Sequence, residues 1–305
     1  MINPPPRFNL RERLTSDLLL LLAALIWGVG FVAQRLSSFH LGFFGFNGLR
    51  FLMGGLVILP FVVKPLIRSG KRLLWVVLAG VILFAASALQ QAGIETTSAG
   101  SAGFITGVYV VLVPLLLALF WRQPSSPATW IAAAIALAGF YLLSTGGEKL
   151  NPAAGDLLVL GGSLVWALHV IVVGMAVQKM DVFAFSAGQF LVCAFLHLIF
   201  SLLTEPVTAA ALKASWLPLL YAGLFSAAGG FTLQALGQRK APASDAALLL
   251  SLEAVFAAIA GVLFLREQMN WIQITGCAII LAAILFSQLM VTRRNLKEQS
   301  HTSGG

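Results

Sequence analysis

Charged residues are scarce in this sequence. The 305 residues include 11 Asp and Glu and 19 Lys and Arg, so that 10% of the chain is charged and 59% is hydrophobic. A soluble globular domain usually has about 25% charged residues. This composition excludes a soluble fold of this length and predicts an integral membrane protein. The net charge of +8 does not indicate nucleic-acid binding, because the basic residues fall in short loops and both tails instead of forming a stripe.

Cysteine is almost absent as well. The two cysteines, Cys193 and Cys277, lie inside apolar runs. We therefore expect buried thiols and neither a disulfide framework nor a bound metal or other cofactor. The polar start, residues 1–16, leads into an apolar run without a small-residue cleavage site, which predicts an uncleaved first membrane helix.

Ten apolar segments follow one another, and each is long enough to cross a bilayer as a helix, which takes about 20 residues. Gly, Pro and Ser mark the short loops between them. The sequence therefore predicts an all-α membrane protein with ten transmembrane helices and no soluble domain. The segments are 17–36, 43–63, 73–92, 98–121, 128–145, 156–177, 182–203, 215–237, 244–265 and 271–291.

The basic residues are divided unequally between the two sides of this topology, with fourteen on one side and four on the other. Cytoplasmic loops carry the excess of Lys and Arg. We therefore expect residues 1–16 and 292–305 to be cytoplasmic tails. The fourteen are Arg7, Arg11, Arg13, Lys64, Arg68, Lys71, Arg72, Arg122, Lys179, Arg239, Lys240, Arg293, Arg294 and Lys297, and the four are Arg35, Lys149, Lys213 and Arg266.

The two halves of the chain resemble each other at rare residue types. Each half holds five segments, and because five is odd the copies must enter the membrane from opposite sides, as an inverted repeat. We predict a first repeat over 17–145, a connecting loop over 146–155 and a second repeat over 156–291. The matching pairs are Asp17 with Asp156, Trp27 with Trp166, Phe46 with Phe185, Phe51 with Phe190, Gln91 with Gln234, and Ser101 with Ser244.

Five stretches together resemble the EamA-type transporters of the drug/metabolite transporter (DMT) superfamily. They are ALIWGVGFVAQRL at 24–36, FNGLRFLMGG at 46–55, LQQAGIETTSAGSAGFITGVYVVLVP at 89–114, GDLLVLGGSLVWALH at 155–169 and LLSLEAVFAAIAGVLFLREQ at 249–268. The resemblance implies ten helices around a central cavity and transport by alternating access. The first copy departs from the family at Trp121-Arg122-Gln123, where members often carry a Gly-Glu pair, whereas the second copy keeps Arg266-Glu267.

Two charges lie within the predicted spans and mark a candidate site. Glu253 is an acid near the middle of an apolar run, which costs about 2.5–3.5 kcal/mol on insertion scales, so it should face protein or a water-filled cavity. We predict that it couples transport to protons; the alternative is a hydrogen bond at a helix–helix contact. Arg50 either binds a substrate carboxylate or pairs with Glu253, and we favour the ion pair.

Uncharged polar and aromatic residues complete the predicted substrate site. Gln91 and Gln234 hold matching places in the two copies, as expected near a pseudo-twofold axis, whereas Gln90 and Gln189 are interpreted as links between helices. His169 lies three residues after Trp166 on the same helix face, and His197 is expected to pack. The full predicted set is Trp27, Arg50, Gln91, Tyr109, Trp166, His169 and Gln234 for substrate, and Glu253 for protons.

A membrane enzyme is the first rival to a transporter. It would need paired acids, a metal cluster or a nucleophile with its base, but Asp17 and Asp156 fall at span ends on opposite sides and Glu253 has no acidic neighbour in sequence. A receptor or scaffold would carry longer loops.

We therefore predict an inner-membrane transporter and no enzyme, and the resemblance implies export of amino acids or similar amphipathic metabolites. An uncoupled facilitator or exchanger of metabolites or lipid-like solutes remains the alternative. The expected partners are a small-molecule substrate, the lipid bilayer and protons, with the chain acting as a monomer or homodimer.

Overall fold

The computed structural model describes residues 10–62, 70–97, 99–148, 154–205 and 207–302. Every regular element within them is helical, and ten helices are long and apolar enough to cross a membrane. They are span 1, Arg11–Ser37; span 2, Phe43–Phe61; span 3, Gly70–Ile94; span 4, Ser101–Trp121; span 5, Pro127–Thr145; span 6, Ala154–Ala176; span 7, Val182–Thr204; span 8, Ala209–Gly237; span 9, Ala243–Leu265; and span 10, Trp271–Met290. The helix of span 1 begins at Leu10 and that of span 10 continues to Thr302.

The ten predicted segments are confirmed, and all but two of the starts lie within three residues of the predicted positions. Span 1 starts earlier than predicted because its charged first turns continue the helix ahead of the apolar run. Span 8 starts earlier because Thr208 caps it, accepting a hydrogen bond from the Ala211 amide at 3.1 Å. Parts of the predicted tails and loops, including residues 1–9, Lys64, Arg68 and Lys149, lie outside the described residues.

Local sequence sets where several spans begin and end. Ser126 accepts a hydrogen bond from the Thr129 amide at 3.1 Å at the start of span 5, and Asp181 accepts one from the Ala184 amide at 3.0 Å at the start of span 7. Spans 4 and 9 are each followed directly by an arginine in the left-handed region, Arg122 with φ 51° and Arg266 with φ 58°. The same irregular ending in both copies supports the repeat.

The main contacts between spans are symmetric, because exchanging the two copies maps each of the main contacting pairs onto another contacting pair or onto itself. Spans 2 and 7, spans 4 and 9, and spans 5 and 10 each join equivalent helices, and the contact of span 3 with span 6 is matched by that of span 8 with span 1. The aromatic residues that recur between spans 2 and 7 are fully buried in both copies. These are Phe46, Phe51, Phe185 and Phe190, each 0% exposed. The chain is thus two inverted five-helix repeats packed around a shared centre.

Three spans are interrupted near this centre. Two helices, Ala99–Gly107 and Tyr109–Trp121, form span 4, the first beginning two residues ahead of the span, and span 9 consists of Ala243–Leu250 and Glu253–Leu265. Span 8 contains a π-helical stretch, Tyr221–Gly230. Irregular backbone is tolerated at membrane depth where it is buried in protein or lines a cavity. The interruptions therefore mark the part of the molecule where a site is expected.

Candidate functional site

A cavity lies between the two copies, and side chains from seven spans line it. Its empty volume is about 480 Å³, counting the part open to solvent. Six of the eight predicted site residues line the cavity: Trp27, Arg50, Tyr109, Trp166, Gln234 and Glu253.

The breaks in spans 4 and 9 place Tyr109 and Glu253 beside this cavity. Tyr109 is the first residue after the break in span 4, and Glu253 is the first residue after the break in span 9. The breaks fall at equivalent positions, because Val108 and Ser251 are related by the same offset that aligns Ser101 with Ser244. Broken helices of inverted repeats commonly form the substrate and ion sites of transporters.

Glu253 is buried and only partly satisfied by its surroundings. The residue is 4% exposed, and the Tyr109 hydroxyl lies beside its carboxyl group. Neither Tyr109 Oη nor Glu253 Oε1 has a hydrogen-bond partner within the described part of the chain. A buried acid with an unpaired oxygen is costly to keep unless it has a ligand or a proton.

Arg50 is the cation of the cavity, but the expected ion pair with Glu253 is not formed among the described residues. The guanidinium lies over the ring of Phe51 at 4.7 Å and that of Phe46 at 5.3 Å, measured from Cζ to the ring centroids. Arg50 is 3% exposed, and its Nε has no hydrogen-bond partner in the part of the chain that the structure describes. Two aromatic faces from its own helix therefore hold the charge in place and leave Glu253 unpaired.

Three aromatic rings form one wall of the cavity. The Phe231 ring lies between Trp27 and Trp166, with centroid separations of 4.6 Å and 5.8 Å. The Trp27 indole donates a hydrogen bond to the Ser226 carbonyl in the π-helical stretch, at 3.2 Å. The sequence singled out both tryptophans but not Phe231, which no repeat or charge distinguishes from the other phenylalanines. The wall offers a flat apolar surface to a bound solute.

Gln90 joins four spans at the cavity. Its Oε1 accepts hydrogen bonds from Trp166 Nε1 at 2.7 Å and from Thr106 Oγ1 at 3.4 Å, and its Nε2 donates to Gln34 Oε1 at 3.0 Å. The sequence analysis interprets Gln90 as a link between helices, and the three hydrogen bonds agree with this role. The structure also places Gln90, together with Gln34 and Thr106, in the lining of the cavity. This network fixes the Trp166 indole.

Two predicted site residues lie away from the lining. Gln91 is 0% exposed, and its amide nitrogen donates to the Gln34 carbonyl at 3.1 Å. His169 is also 0% exposed and forms a hydrogen bond with Gln189 between Nε2 and Oε1 at 2.9 Å. The structure thus brings neither residue to the cavity, because each helix turns that side chain towards a neighbouring span.

Gln234, the repeat partner of Gln91, is differently placed. It lines the cavity and is 1% exposed, yet neither Nε2 nor Oε1 of its amide has a hydrogen-bond partner among the described residues. An unpaired buried amide costs about 1–3 kcal/mol, a cost that a hydrogen-bonding ligand would remove.

His197, by contrast, packs among phenylalanines, with Phe84 at 4.6 Å, and forms a hydrogen bond with Ser87 at 2.9 Å.

The charges of the cavity are not repeated between the copies. The offset that aligns Phe51 with Phe190 pairs Arg50 with Gln189, and the offset that aligns Gln91 with Gln234 pairs Val110 with Glu253. Gln189 binds His169, and Val110 is buried in the core at 1% exposure. The cavity is therefore built by a symmetric scaffold but has an asymmetric set of functional groups.

Comparison with known families identifies this scaffold. The sequence model of the EamA-like transporter family matches residues 14–145 and 153–289. The chain belongs to this family. Each of the two matched stretches of the EamA-like transporter covers nearly all of five of the ten spans, and the resemblance noted from the five sequence stretches is confirmed.

Individual relatives are transporters by name. An uncharacterized transporter of Archaeoglobus fulgidus is 31% identical over 284 residues, covering 92% of this chain and 88% of the relative. The threonine/homoserine exporter RhtA of Escherichia coli K12 is 27% identical over 288 residues, covering 91% of this chain and 92% of the exporter. A solved crystal structure with 20% identity covers 92% of this chain and 99% of its own, with a TM-score of 0.78, which shows the same fold.

Proposed function

We infer that this EamA-like transporter is a secondary transporter of the inner membrane that exports small amphipathic metabolites, amino acids among them, by alternating access. The excess of basic residues on one side, fourteen against four, supports a topology with both termini in the cytoplasm. The name of the RhtA relative, a threonine/homoserine exporter, supports amino acids as the first substrates to test.

The observation that carries this proposal is a cavity that contains a buried cation and a buried acid that do not pair with each other. A zwitterion supplies both missing partners, a carboxylate for Arg50 and an ammonium group for Glu253. The apolar part of the same solute packs on the wall of Trp27, Phe231 and Trp166. The unpaired amide of Gln234 adds a donor and an acceptor.

We assign proton coupling to Glu253. A carboxyl group at the break of span 9 can hold a proton when no cationic group of the substrate is near and release it when one binds. Tyr109 lies beside it and can donate a hydrogen bond to the ionised form. Proton and substrate then compete for one group, which is sufficient to couple their movements.

Proton flux in proteoliposomes tests the proposal. The reconstituted protein is given a panel of amino acids, sugars, nucleosides and cationic drugs, and an internal pH dye reports proton movement. We expect flux with one compound class and its loss in Glu253→Gln, while Glu148→Gln, the same change at an exposed loop residue, keeps the parent rate. Normal pH-dependent transport by folded Glu253→Gln would show that Glu253 does not couple transport to protons.

Substitution of Arg50 tests the substrate contact separately. A charged hydrogen bond contributes about 1.5–3 kcal/mol, so Arg50→Gln should weaken the affinity for carboxylate substrates about 10- to 100-fold. Arg50→Lys retains the charge without the bidentate geometry, so its affinity for carboxylate substrates should lie between that of the parent and that of Arg50→Gln. Unchanged affinity in Arg50→Gln would remove Arg50 from the site.

An uncoupled exchanger, or a carrier of lipid-like solutes, is the second candidate. It is favoured by the aromatic wall and by the two phenylalanine rings that already shield Arg50. Counterflow of labelled solute without proton movement would distinguish it from the coupled exporter.

A further inference from the structure

A cluster of charged and polar side chains joins the ends of spans 1, 9 and 10. Arg13 Nη2 donates to Asp245 Oδ2 at 3.0 Å and to Gln288 Oε1 at 3.4 Å, and Arg13 Nε lies 3.7 Å from Asp17 Oδ2. Arg13 and Asp245 are each 8% exposed. Because Arg13 and Asp17 lie on span 1, a helix of the first copy, and Asp245 and Gln288 lie on spans 9 and 10 of the second, the cluster links the two copies. We call these four residues the Arg13 cluster.

The cluster lies beyond the cavity towards the end of the molecule that carries the two termini. Gln234 lines the cavity, and three residues further along span 8 the Gly237 carbonyl accepts a hydrogen bond from Ser16 at 2.6 Å. Ser16 is three residues from Arg13 on span 1, one helical turn nearer the cavity. On span 9, Asp245 precedes Glu253 by eight residues, or about 12 Å at the usual helical rise.

A second polar contact closes the same region. Gln238 Nε2 donates to the carbonyl of Val170, which lines the cavity, at 2.9 Å. Gln238 is 1% exposed and Ser16 is 2% exposed. Buried polar contacts between spans 1, 6 and 8 thus lie between the cavity lining and this end of the protein, and the Arg13 cluster lies beyond them.

Stability alone does not explain a buried ion pair in this place. Desolvating two charges offsets most of the gain from their attraction, so buried ion pairs commonly contribute little to stability, and their best-attested use is to specify one arrangement over another. Removing one partner, however, leaves an uncompensated charge. The contact between Arg13 and Asp245 forms only when the two copies meet at this end of the protein. Such a contact is suited to stabilise one of two conformations over the other.

The two ends of the molecule differ in how the copies are joined. The three ion pairs that the described residues make with one another all lie at the end of the Arg13 cluster. At the opposite end, Arg35 donates to the carbonyls of Ile94 and Glu95, at 2.6 and 3.0 Å, within the first copy. There, the described residues of the two copies are joined by hydrogen bonds without an ion pair, as from the Phe44 amide to the Glu205 carboxylate at 2.9 Å and from Gln273 Nε2 to the Leu143 carbonyl at 3.1 Å.

We propose that the Arg13 cluster is the gate that closes the substrate cavity on the cytoplasmic side. This inference rests on the proposed transport function, because it assigns the control of access to the same cavity. Rocking of the copies that opens this end must separate Arg13 from Asp245. The structure described here has this gate shut.

A cysteine reporter in the cavity measures access without any substrate. Gln234→Cys is introduced into a chain in which Cys277, which is partly exposed, is replaced by alanine and the fully buried Cys193 is kept. A membrane-impermeant maleimide is added to inside-out and right-side-out vesicles, and the labelling rate is compared with that of the chain lacking the reporter. Each variant is first shown to be monodisperse.

Opening of the gate should appear as faster labelling from the cytoplasmic side. We expect Asp245→Asn, a change of similar shape, to increase the rate at least about tenfold in inside-out vesicles, which corresponds to about 1.4 kcal/mol. The matched control is Glu12→Gln, which removes the exposed pair of Glu12 with Lys240, 3.3 Å long, at the same end. It should change the rate less than about twofold, as surface pairs contribute little.

Charge exchange makes the test decisive. Arg13→Asp and Asp245→Arg should each open the gate, and the double variant should return the labelling rate to within about twofold of the parent, since a coupled pair is non-additive. Parent-like labelling in folded single variants would overturn the gate. Failure of the folded double variant to restore closure, or faster labelling only in right-side-out vesicles, would overturn it as well. The flux experiment stands independently, so a failed gate and a failed transport function are distinguishable.

Discussion

Alanine in place of Gly28 should separate spans 1 and 9 beside the cavity. A Cβ on Gly28 would meet the Cβ of Phe256 and would lie 2.8 Å from the Glu253 carbonyl oxygen and 2.9 Å from the Ala257 nitrogen. Two of these three atoms belong to the backbone and cannot rotate away. The methyl group therefore fits only if the helices move apart. Gly30→Ala is the matched control on the same helix, because its Cβ would have only an ordinary contact, 3.5 Å from Ser226 Oγ.

The size of the effect follows from two opposing contributions. Alanine improves helix propensity over glycine by up to about 1 kcal/mol at either position. Overpacking a close contact costs about 1–3 kcal/mol, and only Gly28→Ala incurs this cost. The difference in unfolding free energy between the two variants therefore isolates the contact. It corresponds to roughly 2–12 °C in apparent Tm, at about 2–4 °C per kcal/mol for large domains.

Thermal unfolding of the purified protein in detergent, followed by tryptophan fluorescence, measures this difference. We expect Gly30→Ala to unfold at or above the temperature of the parent and Gly28→Ala to unfold below Gly30→Ala. If Gly28→Ala unfolded at the same temperature as Gly30→Ala, the close approach of spans 1 and 9 at the cavity would be refuted.

Two further predictions concern the lining and the loop opposite the gate. Gln90→Leu removes the acceptor of the Trp166 indole and, at about 0.6 kcal/mol per interhelical hydrogen bond, should destabilise the protein by about 1–2 kcal/mol and shift its tryptophan emission; parent-like unfolding and emission would contradict the network. Burial, aided by the nearby carboxylate of Glu205, raises the pKa of Glu95, so the folded state binds this proton more readily than the unfolded state and loses stability as the pH rises through that pKa. Glu95→Gln should flatten a plot of apparent Tm against pH just above the ordinary pKa of Glu, about 4.3, and an unchanged slope there would contradict it.

Composition and repetition were enough to predict the fold. Spans are specified by long apolar runs, and the inverted arrangement follows from five spans in each copy. The sequence did not indicate the breaks in spans 4 and 9, because Val108 and Ser251 are ordinary helix residues without a neighbouring proline. The π-helical stretch of span 8 likewise has no marker beyond its glycines.

The site was predicted less completely because neighbouring residues on a helix point in different directions. Gln90 and Gln91 are adjacent, and their side chains differ by about 100° around the helix axis. The repeat favoured Gln91, yet Gln90 reaches the cavity. The contact of Arg13 with Asp245 joins residues 232 positions apart, and only the packing of the whole bundle brings them together.

The unequal charges of the two copies have a consequence for the empty protein. In the alternating access that we propose for this protein, each copy of the inverted repeat adopts the conformation that the other copy has left. If the copies were identical, the inward-facing and outward-facing states would be related by the twofold axis and would have equal free energies. Here Arg50 is matched by Gln189 and Glu253 by Val110, so the exchange of shapes moves each charge into new surroundings. The carrier is therefore expected to have a preferred resting orientation before any solute or voltage acts on it.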